Sequence, residues 1–223
     1  QNVEAVHICT PHKFHGEQVL AAARSGKHIL VEKPMALTLD ECDRMIEACK
    51  NNEKVLMVGQ VLRHYPVNLK ARELILEGAI GQVGHMMRRR YTYFNPVMKG
   101  GRKRSWYMDL NLGGICVLYS FGPHEYDILH WYIDSPVQEV YARGTESTEI
   151  YRGQKDSYTT VMTHENGVVS VLSQSIVCHN GSNDQYIVGS EGSIAMTNQN
   201  LTLNGENIPI GETLEVGMAN QIR

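Results

Sequence analysis

The sequence predicts an α/β fold in which one half of a doubly wound parallel sheet is followed by an α+β domain with a large open, mostly antiparallel sheet. Apolar strand patterns alternate with amphipathic helix patterns over residues 3–58, and the links between them are short. Such alternation gives right-handed crossovers and therefore parallel strands. Near residue 80 the pattern changes to a series of strands. We therefore expect two domains, at 1–61 and 62–223.

The first domain opens with an apolar strand pattern from Val3 to Cys9, which Thr10-Pro11 ends. The elements predicted after it are a helix over 14–25 that Gly26 stops, a strand over 27–31, a helix that begins with the capping box Thr38 to Glu41, and a strand over 55–58. This order predicts one half of a doubly wound domain.

The second domain begins with a helix that has Pro66 in its first turn and stops before Gly78. The strands predicted after it cover residues 84–94, 137–144, 158–163, 168–178, 185–188 and 194–196. An apolar helix over 117–133 carries His124 and is expected to pack on their sheet.

The predicted strand at 168–178 has apolar side chains on both faces, with Val169 and Val171 on one and Leu172 and Ile176 on the other. If helices cover one face, the other needs a second chain or another part of this one. We therefore expect a homo-oligomer built through the open sheet.

Composition excludes several classes of protein. The net charge of −3 gives no overall attraction to nucleic acid, and no apolar run is long enough for a membrane helix. The basic clusters at 88–90 and 99–104 are expected to be a solvated strand end and loop rather than a phosphate site. The five cysteines form no C-x-x-C pair, which indicates reduced residues in a cytoplasmic protein.

The tripeptide Glu32-Lys33-Pro34 directly follows the strand at 27–31. In open α/β sheets, ligands bind at the carboxyl ends of the strands. A lysine delivered by a rigid strand and followed by proline is held in place, as a catalytic proton donor must be. The alternative is an ordinary surface lysine at a strand-to-loop junction.

The sequence contains no G-x-G-x-x-G, the turn that normally follows the first strand of a dinucleotide-binding domain. It also starts without Met. We therefore expect a fragment that lacks its first strands.

A resemblance links these observations, since the chain resembles the glucose-fructose oxidoreductase, inositol dehydrogenase and MocA (Gfo/Idh/MocA) family along nearly its whole length. The motifs that carry it are Thr10-Pro11 with His15, Ala22 with Gly26-Lys27-His28, Glu32-Lys33-Pro34, Leu56 to Gly59, Gly78 to Gly81, and Gly113-Gly114 ahead of Gly122-x-His124-x-x-Asp127. The resemblance implies a Rossmann domain, an α+β domain, NAD or NADP as cofactor, and hydride transfer from a secondary hydroxyl of a sugar or polyol.

Carried over by position, the resemblance implies that Lys33 and His124 are catalytic. Cofactor-binding positions implied in the same way are Thr10, Pro11, His12, His15, Glu32, Lys33, Pro34 and Gln60. Substrate-binding positions are Lys33, Tyr119, Ser120 and His124. An imidazole can accept the hydroxyl proton as hydride leaves, and an ammonium stabilises the developing alkoxide.

One position departs from the family pattern, because Ser120 stands where many members have an aspartate four residues before the histidine. Serine carries no charge near pH 7, so His124 lacks the carboxylate that fixes its tautomer. The residues that could take the place of this aspartate are Tyr119, Asp109 and Asn111. The departure leaves two alternatives open: a noncatalytic sugar-binding or assembly protein, and a member that uses bound NAD for a nonredox, glycosidase-like reaction.

Other residues have two interpretations. Trp106 and Tyr107 either stack on a sugar or anchor their loop, and Arg63 and Tyr65 either face substrate or pack at a helix start. His124, Asp127 and His130 form H-x-x-D-x-x-H, but the two rings point apart on a helix, so we expect no metal site.

Overall fold

The computed structural model describes residues 2–95, 105–151 and 153–210. They form two compact units. The first unit comprises residues up to 60 together with 105–123, and the second comprises residues 61–95 and those from 124 onward.

The regular elements alternate in the first third of the chain and are mostly strands thereafter. The α-helices are α1 (His15–Arg24), α2 (Leu39–Asn51), α3 (Pro66–Leu76), α4 (Leu110–Gly113) and α5 (Gly122–Ile133). The strands are β1 (Ala5–Ile8), β2 (His28–Val31), β3 (Leu56–Val58), β4 (Val83–Tyr93), β5 (Val137–Thr145), β6 (Ser157–His164), β7 (Val169–Ser175), β8 (Val177–Gly189), β9 (Ser193–Thr197), β10 (Leu201–Leu203) and β11 (Glu206–Ile208). None of these helices combines the length and apolarity that a membrane crossing requires.

The first unit contains a parallel sheet in the order β1-β2-β3, as the alternating pattern predicts. Its core joins apolar side chains of β2, α1 and α2, including Ile29, Val19 and Met45. Thr38 caps α2 by accepting a hydrogen bond from the Glu41 backbone N–H at 3.2 Å, which confirms the predicted start of this helix.

The second unit contains an eight-stranded sheet in the order β11-β10-β9-β8-β4-β7-β6-β5. Its neighbours are antiparallel except β4 and β7, so the predicted mostly antiparallel sheet is confirmed. Helices α3 and α5 pack against one face, where Met86, Leu172 and Ile187 meet Ile128 and Leu129. We call this the covered face and the opposite one the open face.

The single strand predicted at 168–178 is wrong, because the chain breaks it at Ile176 and starts β8 at Val177. The Ile176 carbonyl accepts from the Phe94 N–H at 2.8 Å, and its own N–H donates to the Asp156 carbonyl at 3.0 Å. The predicted strand 185–188 is only the end of β8. Pairing with β4 keeps Ser182, Asn183 and Asp184 extended although these residue types favour turns.

Two further differences concern short elements. The hairpin of β10 and β11 was not predicted, although its turn is Asn204-Gly205, both at positive φ, the dipeptide most typical of tight hairpins. The helix predicted over 117–133 begins as a π-helical turn, Cys116–Phe121, and only then continues as α5.

Candidate active site

The carboxyl ends of β1, β2 and β3 place three sequence-predicted segments at one edge of the first unit's parallel sheet. Thr10-Pro11 follows β1, Glu32-Lys33-Pro34 follows β2, and Gly59-Gln60 follows β3. Parallel strands gather their following loops at one edge, which is where such sheets bind ligands. The edge therefore carries most of the predicted cofactor positions.

The Lys33 ammonium is held at this edge by a short contact. Its Nζ donates to the Ser120 carbonyl at 2.6 Å, and the Lys33–Pro34 peptide bond is cis. The Glu32 carboxylate accepts from the Lys33 backbone N–H at 3.3 Å. The side chain of Lys33 is thus fixed rather than free in solvent.

His12 lies buried beside this lysine. Its Nδ1 lies 2.8 Å from the Gly113 carbonyl, and the edge of Trp106 meets its ring at a centroid distance of 4.8 Å. Burial lowers the pKa of His12 to about 4, and the charges of His15 and Lys33 act in the same direction, against the opposing effect of the Gly113 hydrogen bond. His12 is therefore a neutral imidazole near pH 7, with Nδ1 as the hydrogen-bond donor.

His15 joins two of the loops. Its Nδ1 lies 2.9 Å from the Pro34 carbonyl and its Nε2 lies 3.0 Å from the Thr10 carbonyl, and the ring is completely buried. The ring therefore links the segment after β1 to the segment that carries Lys33. Its placement between two backbone carbonyls makes it a positioning residue for both loops.

The pKa of His12 makes the stability of the fold depend on pH. The unfolded chain binds a proton at this residue near pH 6.5, whereas the folded protein binds it only near pH 4. The stabilisation is complete above pH 6.5 and falls as pH decreases toward 4, by about 3 kcal/mol in all. Urea unfolding at pH 7 and 4.5 should show this decline in wild type and in His130→Asn, an exposed control. In His12→Asn the decline in stability should be smaller by the part that His12 contributes. A decline in His12→Asn as large as that of wild type would contradict the assignment.

Gln60, Tyr119 and Thr10 occupy less central places at the same edge. Gln60 Nε2 donates to the Pro123 carbonyl at 3.5 Å, while its buried Oε1 has no partner among the described residues. The Tyr119 hydroxyl donates to the Leu37 carbonyl at 3.3 Å, and Thr10 Oγ1 donates to Gln18 at 2.9 Å. The Tyr119 ring packs so closely on Gly114 that a Cβ there would lie 2.7 Å away.

Ser120 meets Lys33 through its backbone carbonyl, and its hydroxyl is buried near Cys116. Burial raises the pKa of the Cys116 thiol to about 12, so this thiol stays protonated and neutral. Of the substitutes for the missing aspartate, Asp109 is exposed and caps α4 by accepting from the Asn111 N–H at 2.9 Å. The residues around Ser120 in the first unit therefore supply neutral groups and carbonyls in place of a carboxylate.

His124 belongs to the second unit, where it is half-buried in the first turn of α5. The next residue, Glu125, is buried and pairs with Arg88 and, at 3.4 Å, with Arg90. Asp127 accepts two hydrogen bonds from Arg63, at 2.8 and 2.6 Å. The structure therefore brings Lys33, Ser120, His12 and His15 together in one unit and carries His124 on the other.

The expectation of a solvated basic cluster at 88–90 is wrong for Arg88, which is 3% exposed, because Glu125 and Gln185 pair with it on the covered face. The cluster at 99–104 lies outside the described residues. Sequence reasoning missed this polar part of the sheet, although alternation along β4 puts Arg88 and Arg90 on one face. Trp106 and Tyr107 stack on each other at 3.9 Å.

The strand ends carry groups that fit a nicotinamide cofactor. Gln60 Oε1 is a buried acceptor without a described partner, which suits the amide N–H₂ of a nicotinamide. The backbone turns at Thr10-Pro11 and Glu32-Pro34 lie at the sheet edge where dinucleotides bind. Among the described residues, no group of three or more His, Cys, Asp or Glu side chains is arranged to hold a metal ion.

Comparison with known proteins gives matches over both units. Residues 1–60 match the oxidoreductase family with an NAD-binding Rossmann fold, and residues 68–195 match the GFO/IDH/MocA C-terminal domain. A 1-carboxy-3-chloro-3,4-dihydroxycyclohexa-1,5-diene dehydrogenase of Comamonas testosteroni is 31% identical over 82% of this chain and 45% of its own length. Myo-inositol 2-dehydrogenase of Thermotoga maritima is 28% identical over 88% of this chain and 57% of its own.

Among solved structures, an oxidoreductase domain protein of Kribbella flavida has a TM-score of 0.86 and 25% identity, over 99% of this chain and 69% of that one. The chain spans about half the length of the two curated relatives. Since the C-terminal domain match alone covers more than half of the chain, and the Rossmann match covers most of the remainder, the chain belongs to the Gfo/Idh/MocA oxidoreductase family.

Proposed function

We propose that the protein is an NAD- or NADP-dependent oxidoreductase that oxidises a secondary hydroxyl of a sugar, polyol or related ring. The observation that carries the proposal is the Lys33 ammonium, fixed 2.6 Å from the Ser120 carbonyl at the carboxyl edge of a parallel sheet. The family match and the names of the two curated relatives, both dehydrogenases of hydroxylated rings, support it.

In this reaction the cofactor supplies the hydride acceptor. Lys33 orients the substrate hydroxyl and stabilises the negative charge that develops on its oxygen. His124 accepts the hydroxyl proton as general base. Both are compact, positioned groups, and neither needs a metal ion to act.

The proposed cofactor residues are those at the strand ends: Thr10, Pro11, His12, His15, Glu32, Lys33, Pro34 and Gln60. His12 and His15 support this site mainly by fixing loops, since each is buried against a backbone carbonyl. Because His12 stays neutral near pH 7, it adds no positive charge beside the Lys33 ammonium. The proposed substrate-binding residues are Lys33, Tyr119, Ser120 and His124.

Ser120 favours a second candidate function. Without a carboxylate at this position the histidine lacks the group that would fix its tautomer, so proton transfer is slower or is not used. This supports a noncatalytic sugar-binding or assembly protein of the same fold, or a member in which bound NAD assists a net nonredox cleavage.

The open face of the eight-stranded sheet supports a homo-oligomer. Tyr141, Val161, Val171, Met87 and Tyr186 pair in one row across five strands. Met87 is 40% exposed, Tyr186 48% and Tyr141 60%, and contiguous exposed apolar side chains of this kind mark interaction surfaces. A light-scattering mass equal to the monomer would end this proposal.

The five free cysteines support a cytoplasmic location.

The test of function is a spectrophotometric assay of the full-length protein with NAD⁺ or NADP⁺ and a panel of sugars and polyols. The dehydrogenase proposal expects reduced cofactor to accumulate at 340 nm in step with substrate oxidation. Product without net reduced cofactor would favour the nonredox candidate. Sugar binding without any turnover would favour the noncatalytic one.

A further inference from the structure

A row of polar side chains crosses the covered face of the sheet beyond the apolar core. Tyr158 on β6 pairs with Gln174 on β7, Gln174 pairs with Arg90 on β4, and Arg90 pairs with Asn183 on β8. Directly paired residues have Cβ atoms about 5 Å apart, so the side chains of this row are neighbours. We call these four residues the polar row.

The adjacent row is already satisfied. Arg88 pairs with Glu125 and donates to Gln185 at 3.0 Å, and the Tyr126 hydroxyl lies 2.8 Å from Thr160. Leu172 fills the space between them, completely buried. The polar row thus adjoins the closed core on one side and the region next to α5 on the other. That helix carries His124 and, directly after it, Glu125.

Charge is not balanced at this border. Arg88, Arg89 and Arg90 on β4 carry three positive charges, and the carboxylates that pair with them are Glu125 and Asp184. Asp184 pairs with Arg89 on the open face, so Glu125 alone serves two guanidinium groups. Arg90 is the less engaged of the two, with a single contact of 3.4 Å, and its side chain is 29% exposed. One positive charge is therefore available to a ligand at Arg90.

Gln174 supplies an independent observation. It is 1% exposed, and both its Nε2 and its Oε1 are buried without a hydrogen-bond partner among the described residues. Exchanging the two amide atoms does not change this, since both lack a partner. Asn183 Oδ1 is a second buried acceptor that lacks a hydrogen-bond partner among the described residues. Buried amides without partners are rare in folded proteins and call for an explanation.

We propose that the polar row recognises the carboxylate of an acidic sugar, which makes a hexuronate or related sugar acid the substrate class of the oxidoreductase proposed above, and the inference rests on that function. Arg90 and Gln174 Nε2 donate to the carboxylate oxygens. Gln174 Oε1 and Asn183 Oδ1 accept from hydroxyls of the same molecule. Arg90 is the entry point because its side chain is 29% exposed, whereas Gln174 is only 1% exposed.

A carboxylate fits this row better than a phosphate does. The excess charge is a single positive charge, and a carboxylate carries one negative charge where a phosphate monoester carries nearly two. Two acceptor amide oxygens would also face a phosphate's additional oxygens without a proton between them.

The experiment measures kcat/KM of the full-length protein with two pairs of an acidic and a neutral sugar. The pairs are D-glucuronate with D-glucose and D-galacturonate with D-galactose. D-Glucose 6-phosphate tests whether a phosphate is preferred instead. The acids should be preferred at least tenfold. Arg90→Gln and Gln174→Glu should each reduce that preference at least tenfold, mainly through KM for the acid. Arg89→Gln, on the open face, is the matched control and should keep it. Calorimetric binding of D-glucuronate is measured in parallel.

Each outcome decides between the two proposals. Oxidation of the neutral sugars with no preference for acids, unchanged in Arg90→Gln, overturns the polar-row inference and leaves the oxidoreductase standing. Preference for D-glucose 6-phosphate overturns the carboxylate assignment. D-glucuronate binding that Arg90→Gln abolishes, without turnover of any sugar, supports the polar row and overturns the oxidoreductase. Neither binding nor turnover overturns both.

Discussion

Replacing Lys33 by alanine is expected to lower kcat/KM by about 10²–10³-fold while leaving the fold intact. A fixed donor aimed at developing charge contributes about this much to catalysis. The side chain is held by its contact with the Ser120 carbonyl at 2.6 Å, so its removal deletes a positioned ammonium rather than a mobile surface charge. The measurement is steady-state turnover of the substrate found in the functional assay, with thermal unfolding as the check on folding.

Two further variants sharpen the Lys33 result. Lys33→Met keeps most of the apolar stem and removes only the charge, so it should be as inactive as the alanine variant. Lys50→Ala removes an exposed lysine from the last turn of α2 and should leave turnover unchanged. Wild-type turnover in Lys33→Met would remove Lys33 from the mechanism.

Replacing His124 by asparagine is expected to lower kcat by about 10²–10⁴-fold, the usual contribution of a general base. Asparagine can hydrogen-bond in a similar place but cannot take up a proton, so the variant should also lose the rise of kcat with pH that a titrating base produces. The measurement is the pH profile of kcat for wild type and variant over pH 5 to 9.

His130→Asn is the matched control for His124→Asn, because His130 lies on the same helix and is exposed. It should keep both the rate and the pH profile. Since Ser120 provides no carboxylate, the alternative is that a different group acts as the base. A loss of activity below tenfold in His124→Asn, with an unchanged pH profile, would show that another group takes the proton.

Much of the fold follows from local pattern. The strands around Lys33 are continuous apolar runs between clear helix signals, so both the parallel sheet and the position of Lys33 at its edge could be predicted. The break at Ile176 could not, because it depends on hydrogen bonds to Phe94 and Asp156, which are distant in sequence. Long-range pairing with β4 likewise overrides the local preferences of residues 182–184.

The site was predicted unevenly for the same reason. Lys33 and His124 lie in motifs that a sequence displays directly. The close packing of His12 against Gly113 and Trp106 joins residues about a hundred positions apart, so neither its burial nor its lowered pKa has a local signal. The polar row depends on the register of four strands, and sequence alternation along β4 could have indicated only that Arg88 and Arg90 share a face.

The proposed oxidation of a hydroxylated ring requires that this fold bind a nicotinamide cofactor. Calorimetric titration of NADH and NADPH into the full-length protein, with Gln60→Leu as a variant that removes the buried acceptor Oε1, tests it most directly. Saturable binding of at least one nucleotide is expected, and Gln60→Leu should weaken it. Absence of binding by both nucleotides would contradict nicotinamide-dependent oxidation and leave the noncatalytic interpretation in its place.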